Sequence, residues 1–122
     1  MLRNPRRGAP AVSSSRAGAR IERRAVRHYR LRGYRILGRN VWAGGYEVDL
    51  IVRRGRRVVF CEVKGKTGTA WGDPLEMVDE EKVLRLYRAA TAWLVRNPVC
   101  AALDCRFEAV AVRPDGLERV VL

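Results

Sequence analysis

A carboxylate and an amine stand two positions apart at the end of an apolar run, in the stretch VVFCEVKGK at residues 58–66. Because side chains alternate between the two faces of a strand, Glu62 and Lys64 would project from the same face. A lone Glu-Val-Lys is also typical of an ordinary exposed strand. The pair therefore becomes informative only if a second acidic strand lies beside it.

Such a strand, YEVDLIVR, comes just before it in the sequence and would form a hairpin with it. If positions 55–56 form a two-residue turn, Asp49 faces Glu62 across the hairpin. One step further along, Glu47 faces Lys64. A different even-numbered loop would slip the pairing by two residues and leave the faces unchanged. Only an odd loop without a compensating bulge would separate these four side chains.

Two carboxylates opposed on a sheet repel each other, so Asp49 and Glu62 predict a compensating cation. Mg²⁺ or Mn²⁺ suits such a site, because these ions accept carboxylate and carbonyl oxygens and retain water molecules. The metal would acidify a water molecule and neutralise a phosphate oxygen. Lys64 would orient that water or stabilise developing negative charge. The pattern is compatible with a metal-dependent phosphodiester hydrolase, and equally with an exposed strand whose polar alternation has no catalytic role.

The charge balance points in the same direction. The chain has 122 residues, with 25 Lys and Arg against 13 Asp and Glu, for a formal net charge of +12. Such an excess favours an anionic partner such as nucleic acid. We expect the excess to be spread along the chain rather than gathered into one stripe, which leaves an arginine-rich proteome as the alternative explanation.

Cysteine and histidine are scarce and widely spaced. The three cysteines, Cys61, Cys100 and Cys105, form no Cys-x-x-Cys pair, and His28 is the one histidine, so a structural zinc site is excluded. The odd cysteine count and the lack of any apolar run long enough to span a bilayer predict a cytoplasmic protein with reduced thiols and no membrane association.

The first part of the chain divides into an arm and a helix. Residues 1–17 mix Arg, Pro, Gly and Ser without periodicity and predict a disordered basic arm, followed by a domain over 18–122. Apolar residues at helical spacing predict a helix from about Ala19 to Arg32, with Gly33 placed to end it. Three strands follow, the last two being the acidic hairpin.

The second part predicts a helix and two more strands. In GDPLE, Asp73 can cap a helix start, and Asp79 offers a second start for a longer helix that stops at Asn97-Pro98. Two strands then flank a turn at 114–116. The predicted fold class is α/β, a mixed β-sheet of about five strands flanked by helices in the order α-β-β-β-α-β-β.

The segments GYEVDLIVRRGRRVVFCEVKGK, WGDPLE and AATAWL, with Lys82 between the last two, resemble the YraN family of small bacterial proteins. The resemblance covers residues 18–112. It implies a restriction-endonuclease-like core with a PD-(D/E)xK nuclease site, similar to that of the Holliday-junction resolvases. That branch also implies a homodimer, and a substrate that includes structured or branched DNA.

The resemblance also implies roles for individual residues. The catalytic set is Asp49, Glu62 and Lys64, with Glu47 and Lys82 as auxiliary residues. The implied metal ligands are Asp49, Glu62, the backbone carbonyl of Val63 and Glu22 of the first helix. We further expect Arg39, Arg53 and Lys66 to contact nucleic acid.

Two alternatives to a nuclease remain open. The chain could be a nucleic-acid-binding module that keeps the nuclease fold without significant turnover. It could instead be a protein-interaction partner whose acidic face accepts a basic protein. Tyr46 departs from the family pattern, which usually has Gly at this position, and it is expected to crowd the approach of a nucleic-acid backbone.

Overall fold

The computed structural model describes residues 12–65 and 72–122 and has the α/β fold that the sequence predicts. Five strands form one mixed sheet in the order β1-β2-β3-β4-β5. The elements are α1 (Val12–Leu31), β1 (Arg35–Ala43), β2 (Tyr46–Arg54), β3 (Arg57–Gly65), a 3₁₀ helix (Pro74–Met77), α2 (Glu80–Arg96), α3 (Pro98–Ala101), β4 (Asp104–Arg113) and β5 (Gly116–Val121).

The strand β3 lies at the centre of the sheet. It pairs antiparallel with β2 on one side and parallel with β4 on the other. A parallel pair needs a long crossover, and the segment that contains α2 supplies it. The residues from Val58 to Cys61 are fully buried, as expected for a strand covered on both faces. The apolar run that precedes Glu62 is thus the inner strand of the sheet.

The helices α1 and α2 cover opposite faces of this sheet. On one face, Tyr29 of α1 packs in a cluster with Leu50 and Cys61. On the other face, Trp93 of α2 packs in a cluster with Phe60. Because Phe60 and Cys61 are neighbours in a strand, their side chains must point in opposite directions. The two clusters together hold the acidic hairpin between the helices.

The ends of the helices follow the expected signals, with one correction. Gly33 ends α1 with a φ of 87°, a conformation that glycine adopts without strain. However, α1 begins at Val12 and not near Ala19, so residues 12–17 of the expected arm belong to the helix. Residues 1–11 lie outside the described residues. The single serine-rich segment at 13–15 lacks apolar periodicity, which is why the sequence did not predict helix there.

The second half of the chain is capped as predicted. Asp73 and Glu76 form a capping box at the 3₁₀ helix, and the side chain of Asp79 accepts a hydrogen bond from the backbone N–H of Lys82 at the start of α2. The helix α2 ends at Arg96, directly before Asn97. These caps fix the chain that crosses from β3 to β4.

The hairpin of β2 and β3 has the predicted register. Its turn is Gly55-Arg56, which pairs Arg54 with Arg57 and continues without a slip to the pair of Leu50 and Cys61. A φ of 60° at Gly55 suits a tight two-residue turn.

Two further expectations concern the described chain as a whole. All three cysteines are free. Within residues 12–65 and 72–122, the helices are too short or too polar for any of them to cross a bilayer.

Candidate active site

The candidate site lies where β2 and β3 separate. Their regular pairing ends at Leu50 and Cys61, so the expected direct pairing of Asp49 with Glu62 does not form in the ladder. Instead, an oxygen of the Asp49 carboxylate, Oδ2, accepts a hydrogen bond of 2.8 Å from the backbone N–H of Val63. The aspartate side chain takes the place of the strand backbone and spans the gap between the two strands.

The alternation of side chains along β2 is interrupted at the same point. Val48 packs in the cluster under α2, whereas Leu50, two residues later, packs in the cluster under α1. Opposite this break on β1, Asn40 has a φ of 52°, which asparagine tolerates better than most residues. The irregularity in both strands turns the Asp49 carboxylate toward β3.

Glu62 is buried, and both of its carboxylate oxygens have partners. Only 4% of the residue is exposed. The hydroxyl of Tyr46 donates a hydrogen bond of 3.1 Å to Oε1, and the amine Nζ of Lys64 lies 3.1 Å from Oε2. A buried carboxylate needs such partners, because leaving it unpaired would cost several kcal/mol, on the order of 3 to 5. Tyr46 is therefore a direct partner of the predicted catalytic glutamate.

The pKa of Asp49 reflects its burial and the negative charges beside it. Burial is the main cause that raises its pKa, and the neighbouring Glu62 raises it further, with a smaller contribution from Glu47. The hydrogen bond from Val63 and the positive charge of Lys64 act in the opposite direction, and the pKa comes to about 7. Asp49 therefore lies close enough to Glu62 and Glu47 for both carboxylates to affect its pKa.

Helix α1 forms one wall of the site. A cleft of about 540 Å³ is lined by Asp49, Val63 and Lys64 together with Glu22 and Asn40. This volume lies in the range of small-molecule sites, roughly 300 to 1,000 Å³. The amide Nδ2 of Asn40 donates a hydrogen bond of 2.7 Å to Glu22. Glu22 therefore lines the same cleft as Asp49.

A close approach of α1 to the end of β3 shapes this cleft. A Cβ atom placed on Gly65 would lie 2.6 Å from Cγ1 of Ile21 and in overlap with the rest of that side chain. Only glycine therefore lets the helix pack this near to Lys64, and Ile21 itself lines the cleft.

The donor set fits a hard divalent cation with water in its shell. Among the residues that the structure describes, no group of three Asp, Glu, His or Cys side chains is placed to hold a metal ion. Asp49 and Glu62 supply two carboxylates, and the carbonyl of Val63 lies between Glu62 and Lys64 in the sequence. Mg²⁺ is commonly bound by one or two carboxylates and several waters, so this set matches its needs.

The other residues that the sequence predicts for the site do not all lie at the cleft. Arg39 lies beside the cleft and pairs with Glu22 at 3.3 Å. Arg53 binds the backbone oxygen of Gly55 at the opposite end of the hairpin, away from the site. Lys82 lies in the first turn of α2 and is not one of the described residues that line the cleft. Lys66 lies outside the described residues.

Sequence reasoning missed the partners of these residues. Tyr46 was predicted only to crowd the site, whereas its hydroxyl binds Glu62. Regular alternation in this register would place Tyr46 on the face opposite Asp49 and Glu62, so only the irregularity of β2 between Val48 and Leu50 brings its hydroxyl to the glutamate. Asn40 had no sequence signal either, because its role depends on a backbone conformation and on the approach of Glu22.

Comparison with known proteins places the chain in a family. A model of the "Uncharacterised protein family UPF0102" matches residues 21–112. A UPF0102 protein of Magnetococcus marinus is 41% identical over 95 residues, which cover 78% of this chain and 77% of that protein. One from Shewanella amazonensis is 40% identical over 101 residues, which cover 83% of this chain and 92% of the relative. The chain therefore belongs to the UPF0102 family, the YraN family indicated by its motifs.

Proposed function

We propose that the protein is a metal-dependent nuclease that hydrolyses phosphodiester bonds in DNA, with a site of the restriction-endonuclease-like PD-(D/E)xK type. One observation carries this proposal: Asp49, Glu62 and Lys64 converge where β2 and β3 separate, and Asp49 and Lys64 line an open cleft. A basic chain with net charge +12 suits a polyanionic substrate.

The two carboxylates would hold Mg²⁺ or Mn²⁺ together with the backbone carbonyl of Val63. When bound, the metal supplies charge neutralisation at a phosphate oxygen and lowers the pKa of a water molecule. Glu22 borders the same cleft and is an additional candidate ligand. The proximity of Glu62 to Asp49, which raises the pKa of Asp49 in addition to its burial, supports this assignment.

Lys64 would have two alternative partners during the reaction. In the structure its amine pairs with Glu62. If Asp49 and Glu62 hold a cation, the Lys64 amine would leave its pair with Glu62 and would orient the attacking water or stabilise negative charge on the phosphate. Hydrolysis requires only water as the second reactant, and it yields a phosphate monoester and an alcohol.

The direct test is a cleavage panel. Purified protein is incubated with linear duplex, single-stranded and four-way-junction DNA in the presence of Mg²⁺, Mn²⁺ or EDTA. We expect products only with metal, and at least a 100-fold lower rate for Glu62→Gln, in line with the roughly 10² to 10³ cost of removing one stabilising group from an active site. The exposed Glu80→Gln variant is the matched control. Equal products from wild type and Glu62→Gln would contradict the proposal.

A second candidate function is nucleic-acid binding without significant turnover. The full engagement of Glu62 by Tyr46 and Lys64 favours it, since both carboxylate oxygens already have partners without a metal. In that case DNA binding persists in EDTA and in Glu62→Gln, while no metal produces cleavage by the wild type. The homodimer implied by the resolvase resemblance also stays a prediction, which light scattering checks.

A further inference from the structure

Six arginines line a single groove of about 500 Å³ along the outer side of α1. These residues are Arg20, Arg23, Arg24, Arg27 and Arg30 of α1 and Arg39 of β1. The sequence predicted positive charge spread along the chain rather than gathered in one stripe, and this expectation is wrong for α1. The helical period brings the arginines, scattered in the sequence at three- and four-residue spacing, onto one surface.

Most of these guanidinium groups have no partner among the residues that the structure describes. Arg24 donates to the backbone oxygens of Arg113 and Gly116. The side chains of the other four α1 arginines in the groove take part in none of the hydrogen bonds or ion pairs between residues of the described ranges; these are Arg20, Arg23, Arg27 and Arg30. Their donors are directed at solvent and are available to a ligand.

This arrangement is costly without an anion. Like charges three or four residues apart on a helix destabilise it by roughly 0.2 to 0.5 kcal/mol per pair. Glu22 is the one acidic residue in α1, and it is occupied by Asn40 and Arg39. A bound polyanion would relieve the repulsion along the whole groove, and arginine matches phosphate geometry particularly well.

The dimensions suit a nucleic-acid strand. The helical rise of about 1.5 Å per residue places the ends of the run from Arg20 to Arg30 roughly 15 Å apart. One DNA strand advances about 3.4 Å per nucleotide, so the groove matches the phosphates of about four nucleotides.

The groove also leads to the carboxylate cleft. Arg39 lines the groove and pairs with Glu22, and Glu22 lines the cleft together with Asp49 and Lys64. A strand that follows the arginines along α1 toward residue 18 therefore arrives at the candidate active site.

We propose that the α1 groove is the track that binds the phosphate backbone of DNA and delivers one strand to the cleft of Asp49 and Lys64. The delivery step rests on the proposed nuclease function, whereas the binding step does not. Contacts of this kind fix position and not base sequence, so the groove provides affinity without sequence preference.

The test compares two triple variants of equal net charge. The first is Arg23→Gln, Arg27→Gln and Arg30→Gln in the groove. The control is Arg56→Gln at the hairpin turn with Arg88→Gln and Arg96→Gln on α2, which covers the other face of the sheet. Binding of a 30-base-pair duplex is measured by fluorescence anisotropy in EDTA at several salt concentrations. Thermal unfolding of both variants confirms that they are folded.

We expect the groove variant to lose roughly tenfold or more in affinity. The slope of log affinity against log salt should flatten by about 3, one for each phosphate contact, and by less than about 1 in the control. Equal losses in the two variants would overturn the proposal. It would also be overturned if the groove variant lost binding to vesicles containing phosphatidylglycerol but kept its full affinity for DNA. Because the binding assay contains no free metal, its result does not depend on whether the protein has nuclease activity.

Discussion

Replacing Asp49 with Asn should stabilise the metal-free protein while it removes metal binding. Burial and the charge of Glu62 raise the pKa of Asp49 to about 7, so its ionisation at pH 8 costs the native state free energy. Asn has nearly the same shape, and its side-chain oxygen can still accept the hydrogen bond from Val63. The substitution therefore removes the charge and leaves the bridge between β2 and β3.

The size of the effect follows from the shift in pKa. The pKa moves from an ordinary value of 3.8 to about 7. At about 1.4 kcal/mol per unit, the shift sets an upper bound of roughly 4 kcal/mol, and relaxation of the site and partial hydration reduce the expected gain to about 1 to 3 kcal/mol. Because the native pKa is raised, the native state binds more protons than the unfolded state between about pH 4 and 7. Wild-type stability should fall as the pH rises through this window.

The assay is urea unfolding in EDTA at pH 5 and pH 8, followed by circular dichroism. The gain of Asp49→Asn should be present at pH 8 and much smaller at pH 5. The control is Asp104→Asn, which makes the same chemical change at an exposed carboxylate and should alter stability by less than about 0.5 kcal/mol. A variant less stable than wild type at pH 8, or an identical difference at the two pH values, would refute the electrostatic reasoning.

Three further predictions follow from the same geometry. Tyr46→Phe removes a donor from the buried carboxylate of Glu62 and should cost about 1 to 3 kcal/mol in urea unfolding with EDTA, but less with saturating Mn²⁺; an equal cost in both conditions counts against the site. Gly65→Ala should clash with Ile21 and lower the unfolding free energy by about 1 to 3 kcal/mol, and an unchanged midpoint would show that α1 is not packed against β3 there. Protons compete with metal at Asp49, so the Mn²⁺ dissociation constant from calorimetry should rise about tenfold per pH unit below about 7; a constant value from pH 5 to 8 would exclude Asp49 as a ligand.

The register of the acidic hairpin could be predicted because its determinants are local. The turn at Gly55-Arg56 and the alternation of apolar residues along both strands fix the pairing up to Leu50 and Cys61. The family motif assigns the candidate residues Asp49 to β2 and Glu62 and Lys64 to β3, and the structure brings them together at one end of the hairpin. The caps at Asp73 and Asp79 were equally predictable, since each depends on a few neighbouring residues.

The features that sequence patterns did not predict depend on distant contacts. The interruption of β2 at Asp49 is coupled to the unusual φ of Asn40 on the adjacent strand, and no periodicity signals it. The engagement of Glu62 by Tyr46 joins two strands at a point where regular pairing has ended. The arginine groove requires knowing which side of α1 faces the sheet, and the charge count alone does not contain that information.

The most direct test of the proposed metal site is an anomalous diffraction map from crystals soaked in Mn²⁺. We expect one strong peak within bonding distance of the carboxylates of Asp49 and Glu62 and of the carbonyl of Val63. The amine of Lys64 should have moved away from its present contact with Glu62. The account would be contradicted if saturating Mn²⁺ gave no peak between Asp49 and Glu62 and the pair of Glu62 and Lys64 remained intact.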